Sequence, residues 1–528
     1  MAFVRSPHAH ARIVRLDVAA ARGAPGVVTV VTGADVAHLG HPRPNRIVPS
    51  MKVPLPPLLA RDVVRSIGEP VAAVAAETMS LARDAAERVE VEYEPLPPLA
   101  GAAAALAPGA PALFEALGDN LVLSHRWRAG DTQAAFAAAA HRVRVEVHQP
   151  RLSAMAMEPR GILAWHDAAA GELRLWASTQ APFRVRADVA TCIGFPESRI
   201  RVVAPQVGGG FGVKGSPYVE PSALGWESGS VRVERTGAVT VVTGSSAHGQ
   251  GHETTWAQIV ADALGVAPEE IVVRHGDTSG APQGFGTFGS RSTVLGGNAA
   301  LKAATEVAEQ GRRIAAALLE AAPADLVAAD GGFHVTGSPT RRVTWRQVAE
   351  AAYGGSALRP GAPPGLEATV FFEGGGEAWS FGSVVAVIRI DADTGQVSLT
   401  RCVWVDDAGV VVNPLLAEGQ LHGAYAQGAG QALLEALVYD EDGQLLTGSL
   451  MDYAVPRLGD FPEPVLAATV TPSPLNPLGA KGLGEAGCIA LPPAIVSAVL
   501  DALAPLGVTD LDMPLTSEKV WRALRSAP

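Results

Sequence analysis

Apolar and acidic positions alternate over residues 89–94, where Val91 and Tyr93 stand between Glu90, Glu92 and Glu94. A period of two sends the two sets to opposite faces of a strand, so this stretch predicts a half-buried strand. Residues 11–16 and 26–31 predict two more strands, and 79–88 a helix. The Ala/Pro/Gly-rich stretch at 96–111 predicts a linker crossing the surface. Beyond it, residues 142–147, 173–178 and 200–203 predict strands.

The pattern then changes. Residues 215–226 are short and loop-like, and a strand pair is predicted at 230–233 and 239–243. Over 254–264, Trp256, Ile259, Val260 and Ala263 fall at helical spacing. An Ala-rich helix is expected within 294–319, and a hairpin at 384–390 and 397–405 across Asp393-Thr394-Gly395. Residues 416–434, 493–503 and 517–524 predict helices. No repeat of solenoid period is present. The reading is an α+β chain, and its 528 residues suffice for about three or four domains.

Composition narrows the function. The chain is 48% hydrophobic and 18% charged with a net charge of -12, which excludes nonspecific nucleic-acid binding through a basic face. The cysteines, Cys192, Cys402 and Cys488, are too far apart in sequence for a zinc or redox motif. Three are also fewer than the four that an iron–sulfur cluster normally takes. The start lacks a signal-peptide apolar core, and no apolar run is expected to reach the ~18 residues of a membrane span, so the cytoplasm is the expected compartment.

Four glycine loops carry the candidate chemistry. Gln206-Val207-Gly208-Gly209-Gly210-Phe211-Gly212 lets backbone approach a ligand closely and adds one amide; a plain tight turn explains it equally well. Gly249-Gln250-Gly251-His252-Glu253-Thr254-Thr255 joins a predicted strand to a predicted helix, where free amides and the helix dipole favour a phosphorylated ligand. His248 and His252 could form a zinc pair but flank glycines, and Thr254 and Thr255 suit helix capping. Gly286-Thr287-Phe288-Gly289-Ser290-Arg291-Ser292-Thr293 supplies hydroxyls and a guanidinium for phosphate or pterin groups. In Lys481-Gly482-Leu483-Gly484-Glu485-Ala486-Gly487, Glu485 is either a desolvated base or a solvated loop carboxylate, and Lys481 could offset the desolvation. Gln427 lies on a predicted helix among small residues that fit a ligand or another helix.

In this order the loops resemble the large, molybdopterin-binding subunit of the xanthine dehydrogenase, aldehyde oxidase and carbon monoxide dehydrogenase family. Phe3-Val4-Arg5-Ser6-Pro7-His8-Ala9-His10, Glu158-Pro159-Arg160, Ser178-Thr179-Gln180, Asp406-Asp407, Asn413-Pro414 and Asp452-Tyr453 extend the resemblance over nearly the whole chain. It implies an α/β-hammerhead domain at 1–100, a first molybdopterin-binding domain at 112–221 and a second at 222–528. It implies a molybdenum cofactor held through the pterin dithiolene, with no protein ligand to the metal, in the cytosine dinucleotide form. It implies oxidation of an aldehyde or N-heterocycle with water-derived oxygen, and electrons passed to partner subunits carrying 2Fe-2S and FAD. Glu485 would be the base and Gln206 would hydrogen-bond an oxygen ligand of the metal. Gly209, Gly210, Phe211, Gly212, Gln250, Gly251, His252, Thr254, Ser290, Arg291, Ser292, Gln427, Lys481 and Gly482 would hold the cofactor.

Two pieces of the family pattern are expected to be missing. One precedes Ala2. The other is a long stretch between the 208–212 and 249–251 loops, which Pro217-Tyr218-Val219-Glu220-Pro221-Ser222 bridges directly. The first molybdopterin-binding domain is therefore expected to be incomplete, with open strand edges and exposed apolar faces, and activity is expected to be weak or absent. Three readings stay open: an active hydroxylase subunit, a non-catalytic remnant, and a zinc hydrolase.

Overall fold

The computed structural model describes residues 1–42, 48–215, 225–354 and 364–526. Residues 2–95 form two three-stranded sheets. β1 (Ala2–Arg5), β2 (Ala11–Asp17), α1 (Ala19–Arg22), β3 (Val27–Thr32), β4 (Val63–Val64), β5 (Pro70–Ala76), α2 (Met79–Ala86) and β6 (Glu90–Pro95) follow in sequence. The sheet orders are β1-β5-β3 and β4-β2-β6. The alternation seen in the sequence sets the register: Ile13 faces Tyr93 and Leu16 faces Val91, and these residues pack on buried Ala11, Val64 and Val71. Thr78 caps α2 by accepting from the Leu81 amide. The expected linker at 96–111 contains one short helix, α3 (Ala102–Leu106).

The following segment is sparsely packed. α4 (Thr132–Ala138) buries no residue. The strand expected at 142–147 is absent: residues 141–149 are exposed and belong to no strand. The alternating valines are there, but no described strand lies beside them to complete a ladder. β7 (Ile162–Asp167), β8 (Glu172–Ala177) and β9 (Ile200–Val203) form a sheet in that order, with α5 (Pro182–Ile193) between the last two. α5 starts on Pro182 and ends at Gly194 in the left-handed region, the usual proline-start and glycine-stop pairing. Leu175, Ala177, Ile200 and Val202 make a small core, whereas β7 at the sheet edge is mostly exposed. The bridge at 217–222 lies outside the described residues.

The remainder holds two larger cores. The first begins with β10 (Trp226–Val233), β11 (Val239–Thr243), α6 (His252–Leu264), β12 (Ile271–Arg274) and α7 (Asn298–Leu319). It continues through β13 (Leu326–Ala329), β14 (Gly332–Val335), β15 (Ser338–Thr344), α8 (Trp345–Gly354) and β16 (Glu367–Glu373). The main sheet runs β12-β11-β10-β16. α6 crosses between the parallel pair β11 and β12 and buries Trp256, Val260 and Leu264. Gly229 lets α7 approach β10: a Cβ there would lie 2.7 Å from the Ala299 carbonyl carbon.

The second core comprises β17 (Phe381–Ile390), β18 (Val397–Asp407), α9 (Pro414–Leu433), β19 (Val465–Ala468), α10 (Ala486–Leu503) and α11 (Ser517–Ser526). The expected hairpin is the antiparallel β17–β18 pair. α10 corrects two expectations. It begins seven residues before the predicted 493 start, because Pro492 and Pro493 lie inside it. It is also long and apolar enough to match a membrane span by composition. Leu491, Ile495, Val499 and Leu503, four apart, are buried in this core beside Trp404 and Leu421, as in a packed core helix.

Candidate active site

The two cores and the smaller β7–β9 unit meet at a cleft with about 1590 Å3 of empty space open to solvent. All four glycine loops reach it, together with the first half of α9 and the 408–413 segment that precedes it.

The loop between β11 and α6 turns on Gly251, which adopts φ 77° at the helix start; a Cβ there would lie 2.7 Å from Leu416 Cδ1. No side chain caps α6, so its first N–H groups keep their capacity to bind an anion. Thr254 faces outward and is exposed; Thr255 lines the cleft and donates its hydroxyl to the Gly251 carbonyl. His252 is 4% exposed, its ring centroid lies 4.3 Å from that of Trp256, and its Nδ1 has no partner among the described residues. Burial, and then the nearby His248 and His275, hold its pKa down to about 3, so the ring is neutral. Gln250 turns onto its own loop, accepting from the His248 amide at 2.7 Å.

Loop 208–212 is held by two side chains that the sequence offered only as motif letters. Buried Gln180 donates to Thr287 O at 2.9 Å and accepts from the Gly212 and Lys214 amides. Its amide thus ties the first loop to the third. Gly210 must be glycine, since a Cβ would sit 2.6 Å from the Gln180 side chain. Glu158 accepts from Lys214 Nζ and the Gly208 amide, each at 2.7 Å, and from Ser178 Oγ at 2.9 Å. The lysine bond first, then the amide, holds the Glu158 pKa down to about 2. Phe211 takes φ 48°, a left-handed conformation that costs a non-glycine residue energy, and it lines the cleft.

Ser290 shares that conformation at φ 51°, and its Oγ donates to Glu485 Oε2 at 2.7 Å. Gly482 allows the approach, with its Cβ position 3.0 Å from the Ser290 Cβ. Glu485 is exposed at the start of α10, so the enclosed apolar pocket considered for it is not formed. Lys481 does not offset Glu485. Its Nζ bonds Asp407 at 2.9 Å, with both side chains nearly or fully buried. Burial pushes the Asp407 carboxyl up, but Lys481, the Gly409 amide and two threonines outweigh it and hold it well below the usual range. Asp406 beside it rises to about 6, through burial and the Asp407 charge.

Arg291 is the clearest correction. Its guanidinium is buried against Glu227 at 3.0 Å and donates to the Gly286 and Trp226 carbonyls. It braces the third loop from behind and does not line the cleft. Of the other expected residues, Phe211, Gly212, Gln250, His252, Ser290, Ser292, Gln427, Lys481 and Glu485 line the cleft, whereas Gln206, Gly209, Gly210, Gly251, Thr254 and Gly482 do not. Sequence reasoning missed Gln180, Thr255, Asn413 and Gln420 as lining residues. The α9 spacing marked Gln420 and Gln427 for one helix face, and Asn413 carries the N-cap signature of α9.

The donor set fits an anionic, polar, organic cofactor. The uncapped start of α6, the unpartnered His252 Nδ1 and the open backbone at Gly249, Gly289, Gly419 and Gly423 offer polar contacts and room; a Cβ at each of these glycines would meet nothing within 4 Å. Among the described residues, no three His, Cys, Asp or Glu side chains gather as metal ligands.

Comparison with known proteins agrees. The molybdopterin cofactor-binding domain family matches residues 195–462 and, as a second domain, 113–233. The a/b hammerhead domain of aldehyde oxidase and xanthine dehydrogenase matches 1–97. The nicotine 6-hydroxylase large subunit of Paenarthrobacter nicotinovorans is 28% identical, over 99% of this chain and 90% of its own. That alignment runs over 738 positions against the 528 residues of this chain, so about 210 positions of the relative have no counterpart here. The carbon monoxide dehydrogenase large chain of Afipia carboxidovorans is 27% identical, over 98% of this chain and 92% of its own. The crystal structure of quinoline 2-oxidoreductase from Pseudomonas putida 86 superposes with a TM-score of 0.94 at 30% identity, covering 100% of this chain and 94% of that one. The chain belongs to the family of molybdopterin-binding large subunits of molybdenum hydroxylases.

Proposed function

We propose that this chain holds the molybdenum–molybdopterin cofactor, in the cytosine dinucleotide form, of a hydroxylase acting on an aromatic N-heterocycle or an aldehyde. The observation that carries the reading is the convergence of all four glycine loops on one cleft, with Glu485 hydrogen-bonded to Ser290 at its edge. The cofactor, when bound, supplies the two-electron oxidation and a water-derived oxygen. Overall the substrate carbon exchanges a hydrogen for a hydroxyl, water is consumed, and two electrons and two protons are released. The electrons require partners. Relatives are subunits of multi-subunit complexes, and the three scattered cysteines of this chain point to 2Fe-2S and FAD on separate subunits.

In this reading Ser290 fixes Glu485 through Oε2, leaving Oε1 to take the proton from the attacking oxygen. The α6 start, with Gln250, Gly251 and His252, receives the anionic part of the cofactor, and Ser292 and Gln427 receive its polar edges. Phe211 and Gly212, which line the cleft, would lie beside the metal. Gln206 is exposed and outside the cleft lining, and would reach an oxygen ligand of the metal only with its side chain turned inward. Arg291 and Lys481 act by holding loops in place rather than by touching the cofactor.

The test is molybdenum and pterin content after co-expression with candidate iron–sulfur and FAD subunits. Near-stoichiometric metal is expected, with Glu485→Gln keeping the metal and losing about 100-fold or more in turnover of N-heterocycle and aldehyde substrates. Soluble, folded, metal-free protein would overturn the reading. It would favour the non-catalytic remnant instead, which the exposed Glu485 and the uncovered 141–149 segment support.

A further inference from the structure

Behind the cleft, two buried amides join the loop of Ser290 to the loop of Glu485. Asn298 opens α7 and has no exposed surface; Asn476 is 7% exposed and precedes the Lys481–Glu485 stretch. Neither lines the cleft. Asn298 Nδ2 donates to the Val294 carbonyl at 2.8 Å and to Asn476 Oδ1 at 3.1 Å, and Asn298 Oδ1 accepts from the Leu478 amide at 3.0 Å. Asn476 Oδ1 also accepts from the Ala480 amide at 3.2 Å, and its Nδ2 donates to the Ala480 carbonyl at 2.9 Å. Both hydrogens of Asn298 Nδ2 and both lone pairs of Asn476 Oδ1 are thereby used. A buried polar network satisfied in this way is rigid.

The bridge stands eight residues after Ser290 and nine before Glu485. Ser290 leads into α7 in the first core. The 481–485 loop is tied to the second core, through Lys481 on Asp407 and through Glu485 at the start of α10. Apart from the Ser290–Glu485 bond itself, the hydrogen bonds that join 286–298 to 476–485 among the described residues are the two made by Asn298. The Ser290–Glu485 bond is exposed, so water competes for both groups and the bond depends on the spacing that the two loops bring to it.

On the reading of Glu485 as the base, we infer that Asn298 and Asn476 are positioning residues for it: their amide bridge sets the spacing at which Ser290 meets the carboxylate. Both act through Ser290 and Glu485 and touch neither cofactor nor substrate.

In the complex with its partner subunits, Asn298→Ala and Asn476→Ser are expected to lower kcat by about tenfold, with KM and molybdenum content near wild type, since a small misplacement of a catalytic group slows the chemistry. Asn476→Ser is the milder variant: a serine still bonds within its own turn but is too short to reach Asn298. In a Ser290→Ala background the same substitutions are expected to change kcat by less than about twofold, because the contact that they position is already gone. A second readout requires no cofactor. In the cofactor-free full chain both variants are expected to speed hydrogen exchange over 481–488 by about tenfold, with the middle of α7 as protected as in the wild type. Unchanged exchange over 481–488, a kcat loss of equal size with and without Ser290, or a kcat loss that only tracks lost molybdenum would overturn the inference and leave the cofactor reading intact. A wild type that takes up no molybdenum would overturn that reading instead, and the exchange result would still decide whether the bridge holds the Glu485 segment.

Discussion

On one side of the cleft, residues 225–354 rest on a closed core in which Trp256, Val307 and Val348 have no exposed surface. On the other, the stretch leading into β7 leaves Trp127, Val143 and Ile162 largely in solvent. Both sides deliver loops to the same place. The first does so through side-chain packing behind each loop, the second through a few hydrogen-bonding side chains at the loop itself, Gln180 and Glu158 above all. The contrast shows two ways of holding the layout of one site. A loop pinned by its own side-chain bonds holds its path without dense packing behind it.

The comparison can be broken at its strong side first. Arg291→Ala strands Glu227 with no counter-charge in the interior and is expected to cost about 3–5 kcal/mol of global stability in urea denaturation. Replacing both residues with apolar ones of similar volume is expected to cost far less. If Arg291→Ala costs under about 1 kcal/mol, the closed core is not what supports this loop.

Acid gives the next largest effect. His252 is held neutral, with its pKa lowered from 6.5 to about 3, so the unfolded chain binds a proton that the folded one does not. Stability therefore falls as pH drops below 6.5 and continues to fall toward 3. Between pH 7 and pH 5 the expected loss is about 2 kcal/mol, and His252→Asn should flatten that part of the profile.

On the weak side, Gln180→Ala removes an amide that serves two loops. It is expected to cost about 1–2 kcal/mol, read mostly as faster hydrogen exchange at Gly212 and Lys214 rather than as a lower melting temperature. An equal loss of protection throughout 225–354 would erase the distinction between the two walls. The smallest change is Glu158→Gln. The carboxylate is 37% exposed and the glutamine oxygen still accepts from Lys214 Nζ, but that lysine is 1% exposed and loses its counter-charge, so about 1 kcal/mol is expected. Its folded pKa is depressed, so its contribution is fully present above about 4.5 and disappears as pH falls toward 2.

Much of the fold was legible because the signal is local. The 89–94 alternation and the 384–405 hairpin carry a period of two that pairing with neighbours only confirms. Residues 142–147 carry the same signal and form no strand, since a ladder also requires a partner that the local sequence does not contain. The start of α10 was hidden because Pro492 and Pro493 resemble a helix beginning. In the site, the loops were legible from glycine and polar spacing, but the jobs of individual side chains were not. Arg291 looks like a ligand cation until Glu227, 64 residues earlier, is found against it. Lys481 looks like a neighbour of Glu485 until Asp407, 74 residues away, claims it. Gln180 gives no local hint of bridging two loops, one of them 107 residues downstream.

The two prolines inside α10 have a mechanical consequence. Neither can donate to the carbonyl four residues earlier, so the ladder lacks two adjacent rungs, at Cys488 and Ile489. The stretch from Ala486 to Leu491 therefore holds to the rest of the helix by fewer backbone bonds and relies on packing, with Leu491 in the same core as Ile495, Val499 and Leu503. The helix start that carries Glu485 is thus steadied from the side, by close contact of Gly487 with Ala424 of α9, more than along its own axis.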